Sequence, residues 1–198
     1  MVWEFEMSNI ETKVTYFEKP GRTNTDLTLG LVKQRAEQLR IKNIVVASST
    51  GSVGVKASVV FEGYNLVVVA GVIGMREPNV HSLSQENRKI IEDRGGKIVQ
   101  AAHSFGTLGR AVNRKFNTIQ IDEIIANVLR LFGQGTKVCC EVTCMAVDAG
   151  LIRTDEEAIG IGGTGGGADT ALVLKPTNTH TFFDIKIREV ICKPRLND

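Results

Sequence analysis

The chain has 198 residues, 42% of them hydrophobic and 23% charged, which suits one globular domain with a sizeable core. Its formal net charge of +2 is spread without a basic block, and only 186–195 is locally basic between acids, so neither a nucleic-acid nor a membrane face is indicated. No apolar run reaches membrane-spanning length, and residues 1–7 carry Glu4 and Glu6 where a signal peptide carries cations, so a cytoplasmic protein is expected.

Residues 13–17 are β-branched and aromatic and read as a first strand. Pro20-Gly21 then marks a turn, and Asn24, Thr25 or Asp26 can cap a helix over 27–39 with Leu27, Leu31, Val32 and Leu39 on one face. A second strand, 44–47, leads through Ser48-Ser49-Thr50-Gly51-Ser52 into a helix over 55–61 that Gly63 closes. A third strand spans 66–72. The long loop 71–82, with Arg76 and His81, is a ligand-loop candidate by its length. A polar helix over 84–94 and a fourth strand over 97–101 precede a loop holding His103, Ser104, Gly106, Thr107, Gly109 and Arg110.

Residues 121–132 place Ile121, Ile124, Ile125, Val128 and Leu131 on one side of a helix. Thr136 caps the next, in which Val138, Val142, Met145 and Ala149 line a core face. A strand at 158–161 runs into the glycine run 162–170, residues 171–174 turn apolar again, and 185–191 forms a closing strand. Apolar strands alternating with helices predict a single α/β domain over 1–198, its largely parallel sheet covered on both faces.

The glycine and hydroxyl clusters each follow an apolar strand, and in a parallel sheet those ends share one edge, where ligands collect. The loop Ser48-Ser49-Thr50-Gly51-Ser52 reads as a phosphate cradle: hydroxyl donors, a glycine that lets backbone N–H groups approach, and the positive end of a helix. Its alternative is a solvated turn with Ser52 as a cap. Lys56 in the first helical turn opposes the helix dipole and makes sense beside an anion, or else points into water. The glycine run precedes a strand, unlike a Walker or dinucleotide loop; it is either a nest of N–H groups over an anion or flat ring, or a flexible connection.

His103 can bind phosphate, act as acid or base, or cap the next helix. Glu141 and Asp148 fall on roughly one helix side, as a structural or ligand-bonding pair. Cys139, Cys140 and Cys144 crowd one segment, with Cys192 apart; the spacing is not a zinc pattern, and buried small hydrophobes are the reading, with redox or metal roles as the alternative.

The strand, the loop Ser48-x-Thr50-Gly51-x-x-Gly54 and the helix after it resemble the carboxyl-terminal domain of pyruvate kinases, whose matching loop binds the phosphate of a sugar bisphosphate. The likeness runs from residue 42 onward and takes in Asp169-Thr170. Over nearly all 198 residues the chain more closely resembles a small stand-alone family with that fold, on Tyr16-Phe17, Pro20-Gly21, Asn24-Thr25, Val46-Ala47-Ser48-Ser49, Met145-Ala146, Asp148-Ala149-Gly150 and Gly167-Ala168-Asp169-Thr170. The resemblance implies three layers, α/β/α, around a five-stranded mostly parallel sheet, with flavin mononucleotide (FMN) as a ligand. Val53 stands where the kinase loop carries a phosphate-binding hydroxyl, and Asp169 where its last loop has an uncharged Asn, so the sugar bisphosphate does not carry over. Kinase activity does not carry over either, because the catalytic barrel alone needs roughly 250 residues.

Three functions are in view. In the first, the crevice binds a phosphorylated small molecule such as FMN in a sensing or regulatory role. Ser48, Ser49, Thr50, Gly51 and Ser52 then take the phosphate, and His103, Gly163, Thr164, Gly165, Gly166, Gly167 and Thr170 take the rest. Pro20, Gly21, Asn24, Thr25 and Arg76 are further ligand-loop candidates. The second is a small flavin-dependent oxidoreductase in which His103 or Arg76 orients substrate, the flavin itself supplying the redox chemistry. The third treats the crevice as a partner-docking edge. No metal site is read, and domains of this resemblance suggest a homo-oligomer.

Overall fold

The computed structural model describes residues 9–196; the acidic start at 1–7 lies outside them. Seven strands form one sheet: β1 (Thr15–Phe17), β2 (Asn43–Ala47), β3 (Asn65–Val69), β4 (Lys97–Val99), β5 (Ala158–Gly162), β6 (Thr170–Lys175) and β7 (Lys186–Pro194), in the order β1-β7-β6-β5-β2-β3-β4. The resemblance implied five strands. The count is seven because the three-residue edge strands β1 and β4 also pair, β1 along β7 and β4 along β3. β6 alone runs against the other six, since its pairings with β5 and β7 are antiparallel and all others parallel.

The helices are α1 (Thr25–Leu39), α2 (Ser52–Val60), α3 (Gln85–Asp93), α4 (Leu108–Phe116), α5 (Ile121–Arg130) and α6 (Gln134–Asp148). Strand alternation sorts the core. Ile44, Val46, Leu66, Val68, Ile159 and Ile161 pack with α1, α2 and α3, whereas Val45, Val67, Val69 and Ala158 pack with α6 on the opposite face. Residues buried on both faces explain why β2 and β3 read as continuous apolar runs.

α6 is buried from Gly135 to Val147, the half-buried Val138 apart, because α5, Phe105 and Phe182 cover its outer side around Cys139, Cys140 and Cys144. The side chains enclosed with it include the polar Thr136, Lys137, Glu141 and Thr143. Its N-cap is Gly133, not Thr136, whose hydroxyl instead donates to the Phe132 carbonyl. The sequence pattern does not single out α4, which forms within the loop expected after β4.

α1 differs in rotation from the expectation. Thr25, Thr28, Leu29, Val32 and Ala36 face the sheet, and Leu27 is 55% exposed. Thr25 and Thr28 are drawn inward because their hydroxyls bond the Ala168 backbone, a tertiary partner that overrides hydropathy.

Candidate functional site

Parallel pairing puts the carboxyl ends of β1, β2, β3, β4 and β5 on one sheet edge, and the β2–β5 register (Val46 beside Ile161) sets the hydroxyl loop next to the glycine run. In the hydroxyl loop Ser48 is buried. Its N–H donates to the Val69 carbonyl (2.9 Å), and its Oγ accepts from the Gly54 N–H (3.0 Å), which starts α2 at Ser52, earlier than the pattern suggests. The Gly51 carbonyl accepts from the Val55 N–H (2.8 Å). The N–H groups of Ser52 and Val53 are then left without a partner among the described residues, at the positive end of a helix. Ser49, Thr50 and Ser52 are exposed around them, with Thr50 Oγ1 and Ser52 Oγ 3.2 Å apart.

Gly51 has a φ of +89°, and a Cβ there would lie 2.5 Å from Leu83 Cδ1 and 2.7 Å from Asn87 Cβ. The loop thus presses against the start of α3, and Asn87 Nδ2 donates to the Thr50 carbonyl (3.0 Å). Lys56 does not face the cradle. Its ammonium is 2.6 Å from Asp26 and ties α2 to α1 at an exposed position.

The glycine run is held from below by Asp169, which is fully buried. Its Oδ2 accepts from the N–H groups of Gly21 (2.8 Å) and Thr164 (3.1 Å), and its Oδ1 from the Thr170 hydroxyl (2.8 Å). Asp169 is a tie between loops and does not confront a ligand. Thr170 and Thr25 are likewise turned inward, the Thr25 hydroxyl accepting from the Ala168 N–H (3.1 Å), so neither side chain is free for a ligand.

A Cβ on Gly163 would sit 2.0 Å from the Gly167 carbonyl oxygen, and one on Gly167 would sit 2.4 Å from Arg22 Cα. Those two glycines therefore serve close packing. The tip, Gly165-Gly166, is exposed, and the Arg22 guanidinium lies against Gly166. Arg22 is the cation that sequence reading passed over. It precedes the named Asn24 and Thr25, but only the fold lays it over the glycine run. Pro20 is exposed, and Asn24 stands at the N-cap position of α1, but its side chain donates to the Lys19 carbonyl (2.7 Å) and makes no capping bond.

The loop after β3 exposes Arg76 and closes on itself through Gly74 N–H to the Val80 carbonyl (3.1 Å). Its residues Val72, Ile73 and Met75 form a hollow of about 210 Å³ with Gly106, Thr107 and the cations Arg110 and Arg114. Gly71, at the start of that loop, donates its N–H to the Ser49 carbonyl (3.4 Å) and so joins the hollow to the cradle.

The structure ties His103 to α6. The next loop residue but one, Phe105, donates its N–H to Glu141 Oε1 (2.9 Å), and Glu141 forms a buried ion pair with Lys137. His103 is half-buried and lines a second hollow of about 430 Å³ with Ser104, Thr107, Leu108, Gln120 and Asp122. Burial pushes its pKa below the ordinary 6.5; Glu141 opposes this, and Lys137 and Arg110 reinforce it. At neutral pH His103 is therefore uncharged and offers a phosphate no cationic partner.

The folded protein binds fewer protons at His103 than the unfolded chain just below pH 6.5, so stability falls as pH drops through that window. Replacing His103 with Gln should flatten the loss of urea midpoint between neutral and mildly acidic buffer; identical slopes in both proteins would refute the assignment.

Glu141 and Asp148 do not share a role. Asp148 is exposed and accepts from Asn178 Nδ2 (2.9 Å), the Thr179 N–H (3.1 Å) and the Thr179 hydroxyl. Burial raises its pKa, but those donors outweigh it and hold the carboxyl below its usual range. Lys137 was also missed, although its i,i+4 spacing to Glu141 is visible in the sequence; what hides it is that α6 is enclosed.

All four cysteines are free and buried, and burial raises the thiols of Cys140 and Cys144 to about 12 and of Cys192 to about 11. Such thiols are protonated and inert at neutral pH. Among the described residues no three His, Cys, Asp or Glu are grouped to hold a metal ion, and no helix is long and apolar enough to cross a membrane. A cavity of about 560 Å³ lies away from the shared edge, between the chain at 11–15, α1 and β7, where Arg35 pairs with Glu189 (2.7 Å). Arg35 and Glu189 there satisfy each other.

No known family model matches the chain. Among solved structures it is similar to an O-ureido-L-serine-bound mutant of O-ureido-L-serine synthase, at 20% identity and a TM-score of 0.29, over 65% of this chain and 48% of that one. The chain thus matches about half the length of that protein, and a likeness of this size carries no argument about fold or chemistry.

Proposed function

We propose that the edge between β2 and β5 binds a phosphorylated small molecule, with FMN as the ligand that the resemblance to pyruvate kinase carboxyl-terminal-like proteins suggests. The observation that carries this reading is the start of α2, where two unpartnered N–H groups (Ser52, Val53) and three exposed hydroxyls (Ser49, Thr50, Ser52) crowd a helix amino terminus, which favours an oxyanion. Arg22, from the turn after β1, lies against the adjoining glycine loop and adds a cation at that edge. These residues fit the phosphate end of FMN, and the exposed Ile73 and Met75 offer apolar surface to a ring system. Bound flavin would supply hydride chemistry. Ligand occupancy that orders the exposed Gly165-Gly166 tip is a simple basis for sensing.

The first test is an absorption spectrum of freshly purified protein, with mass spectrometry of whatever denaturation releases, followed by titration with FMN and with inorganic phosphate. Ser52→Asp is the informative variant. An acid in the first helical turn suits the dipole, so the fold should hold, yet it opposes a phosphate. Affinity should drop about tenfold or more, the equivalent of ~1.4 kcal/mol, with the melting temperature unchanged. Equal binding by both proteins, or no shift of the melting temperature by any phosphorylated compound, would overturn the proposal.

A second reading, a small flavin-dependent oxidoreductase, draws on the uncharged His103 beside the Lys137–Glu141 pair, where a proton can be held near a hollow. It requires that flavin bound to the protein be reduced by nicotinamide cofactors faster than free flavin; equal rates dismiss it.

A further inference from the structure

The apolar side of α5 points away from the core. Ala126 is buried and Leu129 is packed toward α6, whereas Ile121, Ile124, Val128 and Leu131 are 76%, 53%, 54% and 74% exposed. Their spacing, three then four then three, is that of alternating a and d positions in a heptad, with β-branched residues at both a positions. We propose that this seam pairs with the α5 of a second copy of the chain about a twofold axis, the two helices running antiparallel.

Area favours this occupant. The four seam residues, with Phe116 and Ile119 leading into α5 and Phe132 leaving it, all more than half exposed, present on the order of 800 Å² of apolar surface, about what each partner gives to a standard interface. A monomer rarely leaves so large a patch in water. Charge agrees: the positions flanking the seam are Gln120, Ile125, Asn127 and Phe132, so an identical helix meets no like-charge repulsion there. A membrane surface suits the face less well, because the polar side of α5 carries Asp122 and Glu123 and only Arg130 as a cation, where a membrane-surface helix is rich in Lys and Arg. The antiparallel twofold brings Ile124 of one copy beside Val128 of the other.

The test is sedimentation equilibrium of the full chain at micromolar concentration, with Ile124→Glu/Val128→Glu as the variant. Both positions are exposed, so the variant should keep its circular dichroism and melting temperature while falling from twice the chain mass to one. Geometry is tested by mixing Ile124→Cys with Val128→Cys under mild oxidation: cross-linking should be several-fold greater in the mixture than for either alone, the native thiols being buried. Wild type that stays monomeric, a double-Glu variant that stays dimeric, cross-linking no greater in the mixture, or monomeric wild type that sediments with phosphatidylserine vesicles would each overturn the proposal.

Discussion

Glu141→Ala should destabilise the protein by about 3–5 kcal/mol, the range for breaking a buried ion pair from one side. The variant leaves the Lys137 ammonium enclosed without its partner and removes the acceptor of the Phe105 N–H, which anchors the loop carrying His103. Burial already holds Lys137 below its ordinary 10.5, with Glu141 pulling the other way. Without Glu141 the amine binds its proton still less well in the folded state. The unfolded chain then holds more protons up to about pH 10.5, so the deficit of Glu141→Ala should shrink as pH rises toward that value. Equilibrium urea unfolding at several pH values measures both effects. Lys137→Met combined with Glu141→Leu should recover most of the loss, short of the ~1–3 kcal/mol that the unpaired Phe105 N–H retains. A single variant within about 1 kcal/mol of wild type would mean that water reaches the pair.

Asp169→Ala should remove about 3 kcal/mol, because three donors brought from β1's loop, the glycine run and β6 lose a charged acceptor in a site closed to water. Asp169→Asn is the control. Its amide oxygen can accept from Gly21 and Thr164 while its NH₂ donates to the Thr170 hydroxyl, which can also accept. The loss should then be about 1 kcal/mol or less. A loss that small would mean that carboxylate and amide are nearly interchangeable at a position that ties loops together. Comparable unfolding midpoints for Ala and Asn would show that the carboxylate tie contributes little.

How much was legible varies from element to element. The seven segments expected as strands, at 13–17, 44–47, 66–72, 97–101, 158–161, 171–174 and 185–191, all overlap strands of the sheet; β2, β3, β5 and β6 are legible as apolar runs because they are buried on both faces, whereas β1, β4 and β7 are more exposed and carry polar residues. Ser49, Thr50 and Ser52 at a helix start were equally visible, since strand, glycine and helix are local features. The direction each hydroxyl takes was not. Ser48, Thr25 and Thr170 look the same in sequence as Ser49 and Thr50, and only partners 6 to 143 residues away turn the first two inward.

α5 shows the same limit from the other side. Its amphipathic pattern announces a helix with one apolar face, and such a face ordinarily packs on the core; here Ala126 and Leu129 pack, and the branched residues do not. By itself, then, the sequence determined the α/β class, the strands and the loop that starts α2, because these follow from short-range periodicity and from the chemistry of glycine and hydroxyls. Only the tertiary structure decided the strand order, the Asp169 tie, the Arg22 contact, the enclosed Lys137–Glu141 pair and the outward face of α5. Each depends on which distant residues meet, and that is settled by packing across the whole sheet.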